Sequence, residues 1–116
     1  MKNLSLDRRL GFALNGIRSA WRTETSFRTQ CLAAALVLAV LLWRRPPALW
    51  WVLLLMNCAL VLAAELFNSA LEAALDHLHP ARHPAIGLAK DCAAGAVLLL
   101  SVSAAGVFVA FLVATL

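Results

Sequence analysis

The chain has 116 residues, one domain's length, of which 63% are hydrophobic and only 14% charged; its mean hydropathy is +0.84. A soluble domain is roughly 45–50% apolar and about 25% charged, so the composition excludes disorder and an ordinary cytosolic enzyme and leaves a small integral membrane protein completed by lipid or by copies of itself. Lys and Arg number 10 against 6 Asp and Glu, and Lys2, Arg8, Arg9, Arg18, Arg22 and Arg28 fall in the first quarter, as in a cytoplasmic segment beside anionic headgroups; nucleic acid is not a partner, because no soluble domain remains to present a groove.

Residues 4–22 form the first element. Leu6, Leu10, Ala13, Leu14, Ile17 and Trp21 recur at helical spacing, with Arg8, Asn15, Ser19 and Arg22 opposite. This is an amphipathic helix too polar to span and suited to lying in the membrane plane. A plain topology anchor would show the same pattern.

The first span is read as 25–43. Its uninterrupted apolar core, Cys31–Trp43, is short against the roughly 20 residues that a crossing needs. It reaches that length if Thr25–Gln30 continue the helix and Arg28 snorkels to the interface. Arg44, Arg45, Pro46 and Pro47 then make a turn, bracketed by Trp43, Trp50 and Trp51, whose rings prefer headgroup level. The second span covers 46–77 and the third 87–115. None reads as a cleaved signal peptide. The positive-inside bias places the N-terminus in the cytoplasm, with Arg82 and Lys90 on that side and Arg44 and Arg45 outside. Cys31, Cys58 and Cys92 lie in or beside apolar runs, form no CxxC pair and read as small apolar residues. His77, His79 and His83 make a poor zinc site, with no cysteine nearby, and read as loop or interfacial residues, with contact to a nucleotide as the alternative.

The acidic residues are the chemical signal. Glu65, Glu72 and Asp76 share one narrow stripe of the second span, bordered by Asn68, at about 100° per residue. The stripe is roughly 16 Å long at about 1.5 Å per residue. Glu65 is the deepest, between Ala63, Ala64, Leu66 and Phe67, and ionisable groups at membrane depth are functional candidates by default. Glu24, at the junction of surface helix and first span, and Lys90–Asp91, at the entrance to the third, lie at the same level. Together they supply carboxylates for a hard cation, an amide, and an ammonium for phosphate; carboxylates with phosphate oxygens suit Mg²⁺. No glycine-rich phosphate loop exists, so phosphate must be held by side chains on helices.

The ordered set Glu24-x-x-Phe27-Arg28, Glu65-x-x-Asn68-Ser69-Ala70-x-Glu72-x-x-x-Asp76 and Ala89-Lys90-Asp91-x-Ala93-Ala94-Gly95-Ala96-Val97 resembles the prokaryotic diacylglycerol kinases, a family that includes undecaprenol kinases, over nearly the whole chain from about Leu10 to Val113. The resemblance implies an all-α integral membrane protein of the bacterial inner membrane, with three transmembrane helices and an N-terminal surface helix, packed as a homotrimer with sites shared between subunits. It implies ATP-dependent phosphorylation of a lipid hydroxyl with Glu65 as catalytic base. Glu24 and Glu72 match the residues that hold Mg²⁺ with ATP, Lys90 and Asp91 match further ATP positions, and Asn68 and Asp76 match active-site support. Trp21, Phe27, Arg28 and Ala94 are the candidate lipid contacts. Diacylglycerol is the first expectation for the lipid. The Ala93–Ala94 pair, where diacylglycerol-specific enterobacterial members carry Gly-Ser, points to undecaprenol as the alternative. A small transporter would want its carboxylate near the midplane, and a membrane adaptor would need no carboxylate stripe.

Overall fold

The computed structural model describes residues 3–116; Lys2, counted above with the basic residues, lies outside the described residues. The first helix, α1, runs Leu6–Thr23 and carries the amphipathic pattern. A hydrogen bond accepted from the Ser5 side chain, then one from its own backbone amide, holds the Asp7 carboxyl below the usual carboxylate range in the first turn. α1 ends at one extended residue, Glu24 (φ −111°, ψ 106°), whose N–H donates to Ala20 O at 2.8 Å while its own carbonyl accepts from Arg28 N at 3.2 Å. Glu24 therefore closes α1 and opens α2, Thr25–Arg44. The elbow is braced by the Arg28 guanidinium, which donates to Trp21 O (2.7 Å), Arg22 O (3.1 Å) and Thr25 Oγ1 (3.1 Å). Two of these acceptors are carbonyls of the last turn of α1, which have no partner within the helix, and a cation is favoured at that end of the helix dipole. Arg28→Ala should loosen this joint: we expect a loss of about 1 kcal/mol and faster amide exchange over Ala20–Glu24, read by hydrogen–deuterium mass spectrometry, with the apolar ends of α2 to α4 unchanged.

α2 stops at Arg45, held left-handed (φ 47°) with its N–H on Leu41 O at 2.8 Å, and Pro46 and Pro47 prevent continuation. α3 spans Ala48–Leu78. The connection that follows contains Pro80 and Pro84, and α4 begins at Pro84, ahead of position 87, and runs to Ala114. The early start has a local cause: Pro84 occupies the first helical position, where no amide is needed, and His83 Nδ1 accepts from Ala85 N at 3.1 Å as a cap. His79 lies edge-on to His83 at 5.8 Å, so these two histidines serve the loop, whereas His77, read from the sequence as a loop residue, belongs to the last turn of α3.

Among the described residues all regular structure is α-helical, and α2, α3 and α4 are each long and apolar enough to cross a membrane. The all-α, three-span expectation holds, and this is a multi-pass membrane protein. At about 1.5 Å per residue α2 is roughly 30 Å long, one hydrocarbon thickness, whereas α3 and α4 reach about 46 Å and must project from one side. α3 packs chiefly on α4 and less on α2. The buried centre, Leu41, Leu54 and Phe111, with Trp50 and Phe108 against it, sits at the α2–α3 turn end, far from the carboxylates. There Arg44 donates to Thr115 O at 3.3 Å, tying the ends of α2 and α4. Deeper in the bundle, Gln30 Nε2 donates to Ser101 Oγ (3.2 Å) and Ser103 Oγ to Asn57 Oδ1 (3.1 Å). Such cross-helix bonds pin rotation where helices lack a hydrophobic drive to associate. Most large apolar side chains remain on the surface, as a chain surrounded by lipid or by its own copies requires.

Candidate active site

The site is set by the length of α3. Glu65 lies about 26 Å along the axis from Ala48, Glu72 about 36 Å and Asp76 about 42 Å, at roughly 1.5 Å per residue. If the hydrocarbon begins near Ala48, its ~30 Å end falls just past Glu65. The midplane carboxylate that a transporter would want is therefore not present on α3.

Glu65 is the one buried charged side chain among the described residues, 2% exposed. It is deeper than its place at the edge of an apolar run would require, because α2 packs over it. Its Oε1 accepts a 2.6 Å hydrogen bond from Ser26 Oγ in the first turn of α2. A desolvated carboxylate needs such a donor, and the positive end of α2 favours a negative group in that place. Ser26 was not singled out in the sequence. The contact joins residues 39 apart, and only the packing of α2 on α3 brings them together.

One turn further along α3, the Asn68 Oδ1 atom is buried with no hydrogen-bond partner, in a cavity of about 460 Å³ between α3 and α4 walled by Ala64, Leu71, Ala93 and Ala96. Asp76 and Lys90 meet across α3 and α4 through an ion pair at 2.5 Å. With the two side chains 65% and 34% exposed, the pair is worth at most about 1 kcal/mol. An incoming phosphate could take the ammonium at little cost. Glu24 opens on a larger cavity of about 910 Å³ between α1 and α3, with Ile17, Phe67, Ser69 and Ala73 among its walls. Glu72 is half-buried on α3, next to Ala73, and Asp91 is exposed on α4. Among the described residues neither Glu24 nor Glu72 has a side-chain hydrogen bond or ion pair, and no three potential metal ligands converge within the chain. Two unengaged carboxylates nevertheless fit Mg²⁺, which keeps several waters and is normally bound through one or two carboxylates plus substrate phosphates.

Of the candidate lipid contacts, Trp21 and Ala94 present free surface, whereas Phe27 is 3% exposed inside the elbow and Arg28 is engaged on α1 carbonyls. The chain thus joins Glu65 to the start of α2 and Asp76 to Lys90, and among the described residues leaves the carboxylates of Glu24, Glu72 and Asp91 without side-chain partners.

Comparison with known proteins fixes the lineage of this arrangement. Residues 11–112 match the family model for prokaryotic diacylglycerol kinase. The chain belongs to the prokaryotic diacylglycerol kinase family. Among this family's curated members, the diacylglycerol kinase of Escherichia coli K12 is 36% identical over 89 residues, covering 77% of this chain and 73% of that protein. The Haemophilus influenzae diacylglycerol kinase is 32% identical over 88 residues, covering 76% and 75%. The Synechocystis diacylglycerol kinase is 33% identical over 94 residues, 80% of this chain but 54% of that longer protein. For this diacylglycerol kinase family member, ATP-dependent lipid kinase chemistry follows from membership, and the matched segment contains every candidate residue from Trp21 to Ala94.

Proposed function

We propose that the protein phosphorylates diacylglycerol to phosphatidic acid with ATP at the cytoplasmic face of a bacterial inner membrane, its N-terminus in the cytoplasm. The observation that carries this reading is Glu65: a single buried carboxylate at the end of the hydrocarbon length of α3, where a lipid's primary hydroxyl meets the headgroup layer. Phosphoryl transfer needs in-line positioning and charge neutralisation more than covalent chemistry. Glu65 accepts the proton of the lipid hydroxyl as that oxygen attacks the γ-phosphorus and the bond to ADP breaks. Lys90 leaves Asp76 for the phosphate oxygens, and Asp76, Asn68 and Asp91 shape the nucleotide end. Glu24 and Glu72 would hold Mg²⁺, whose charge would neutralise the phosphate oxygens during transfer. Trp21 and Ala94 face the lipid, while Phe27 and Arg28 serve it through the elbow they build.

We place the active unit in a homotrimer. Beyond Glu65, the site's parts are spread over α1, α3 and α4 without converging, and a Cβ added at Gly95 or Gly106 on α4 would meet nothing within 4 Å. Those small faces are open to a neighbouring helix.

Transfer of label from γ-labelled ATP into extracted lipid tests the reaction, with diacylglycerol and undecaprenol side by side. We expect the label in phosphatidic acid; label confined to undecaprenyl phosphate would move the substrate assignment, and none in either would end the kinase reading. For the metal, Glu24→Gln and Glu72→Gln should each raise the Mg²⁺ needed for half-maximal rate about tenfold or more, the usual order for loss of a ligand or its support. Mg²⁺ titrations unchanged for both variants would place the ion elsewhere.

A further inference from the structure

The lipid kinase reading gives Glu65 a task but does not say what aims it. A general base works only if one carboxylate oxygen is held toward the incoming hydroxyl, within about 2.6–3.2 Å. Glu has three side-chain torsions, and its neighbours on α3 itself are apolar: Val61, one turn earlier, is buried, and Ala64 and Leu66 flank it in sequence. Apolar contacts fill space without orienting a carboxylate. Among the described residues, the one hydrogen bond that the Glu65 carboxylate receives is from Ser26 Oγ to Oε1, at 2.6 Å.

Ser26 is well placed to act as a fixed point. It is the second residue of α2, directly after the elbow at Glu24 and Thr25. The elbow is closed on both sides by backbone bonds at Glu24 and braced by Arg28 on Trp21 O, Arg22 O and Thr25 Oγ1. Phe27, beside Ser26, is buried at 3% exposure and anchors the turn. The hydroxyl is thus carried by a turn locked at both neighbours.

We propose that Ser26 is a positioning residue of the phosphoryl transfer: its hydroxyl occupies Oε1 of Glu65, fixes the carboxylate plane and leaves Oε2 to take the proton of the lipid hydroxyl. This rests on the lipid kinase reading above. Ser26 loses no proton and forms no bond to substrate. The same elbow carries Glu24, so the base and a proposed metal ligand are referred to one rigid frame. Their separation is then set by that turn and by the packing of α2 on α3.

The test compares wild type with Ser26→Ala, Ser26→Thr and Ser26→Cys in the full-length protein, in mixed micelles containing diacylglycerol, with kcat and both KM values measured. Thermal unfolding in the same micelles reports folding. Loss of one aiming hydrogen bond is expected to lower kcat about tenfold in Ser26→Ala, with KM for MgATP and for lipid within about twofold of wild type. Ser26→Thr keeps the hydroxyl and should restore kcat. Ser26→Cys keeps the shape but offers a weak donor and should behave like alanine; with Thr it decides the matter if the alanine variant fails to fold. A Ser26→Ala kcat equal to wild type overturns the proposal. So does a Thr variant as slow as alanine, or a defect lying wholly in KM for MgATP, which would assign Ser26 to the nucleotide. A lowered KM for lipid with undiminished kcat also overturns it, because Ser26 would then be a competitor that the substrate displaces. Wild-type protein that phosphorylates no lipid is a failure of the kinase reading itself. Active wild type with equally active Ser26→Ala is a failure of this inference alone.

Discussion

Glu65→Gln should abolish lipid phosphorylation, lowering kcat about a thousandfold, while the protein still folds, assembles and binds MgATP. The magnitude follows from general base catalysis, which contributes roughly 10²–10⁴-fold. Glutamine keeps the volume and can still accept from Ser26 through its amide oxygen, so the buried position remains filled and hydrogen-bonded. It cannot take a proton from the lipid at neutral pH. Removing a buried charge also spares the desolvation that the carboxylate requires, so thermal stability should hold or rise. That combination, a more or equally stable protein with almost no turnover and unchanged nucleotide affinity, separates a base from a structural residue. A folded glutamine variant with near-normal turnover would remove Glu65 from the chemistry, and a variant that loses nucleotide binding in parallel would reassign it to the phosphate end.

Why Glu65 was visible in the sequence and Ser26 was not is a matter of range. A glutamate among Ala, Leu and Phe is costly in lipid whatever surrounds it, and its register with Glu72 and Asp76 follows from 3.6 residues per turn. Those are properties of one helix. The Ser26 contact depends on how α2 turns about its axis against α3, and α2 and α4 are apolar nearly all the way round. A helix without a distinct apolar stripe does not announce which face meets which neighbour. The rotation is settled by a few polar bonds, Gln30 to Ser101 and Ser103 to Asn57, whose members look unremarkable in isolation. Arg28 is a similar case. Its position beside a span suggests snorkelling to the interface, and what the sequence does not show is that the guanidinium ends on the carbonyls that close α1. The Lys90–Asp76 pair lies between these extremes: the level of each was readable from helix rise, and their meeting depended on the short prolyl connection that sets α4 against α3.

Mixing two inactive variants should restore activity, and this tests the shared site most directly. Glu24→Gln alone removes a proposed metal ligand, and Lys90→Ala alone removes the phosphate cation; at a Mg²⁺ concentration well below that needed by Glu24→Gln, each uniform preparation should be nearly inactive. Within one chain Glu24 opens on the α1–α3 cavity, whereas Lys90 is tied to Asp76 and does not line that cavity. Asp91 and Ala94, one turn apart on α4, face outward, which supports α4 serving a neighbouring subunit's elbow. In a closed ring each such site takes Glu24 from one chain and Lys90 from the next. Random co-assembly of equal amounts then gives about a quarter of the sites both intact residues, so activity should return to about a quarter of wild type. If both residues serve a site within one chain, every mixed site retains one lesion, and nothing returns. Co-purification through a tag on only one variant verifies that mixing occurred. With mixing verified, absence of recovery would place Glu24 and Lys90 in the same chain's site, and full activity of an isolated monomer would end the shared-site proposal. The carboxylates of Glu24 at the elbow and Glu72 on α3, unpartnered among the described residues, and the open small-residue face of α4 favour recovery, since each supplies what the other lacks.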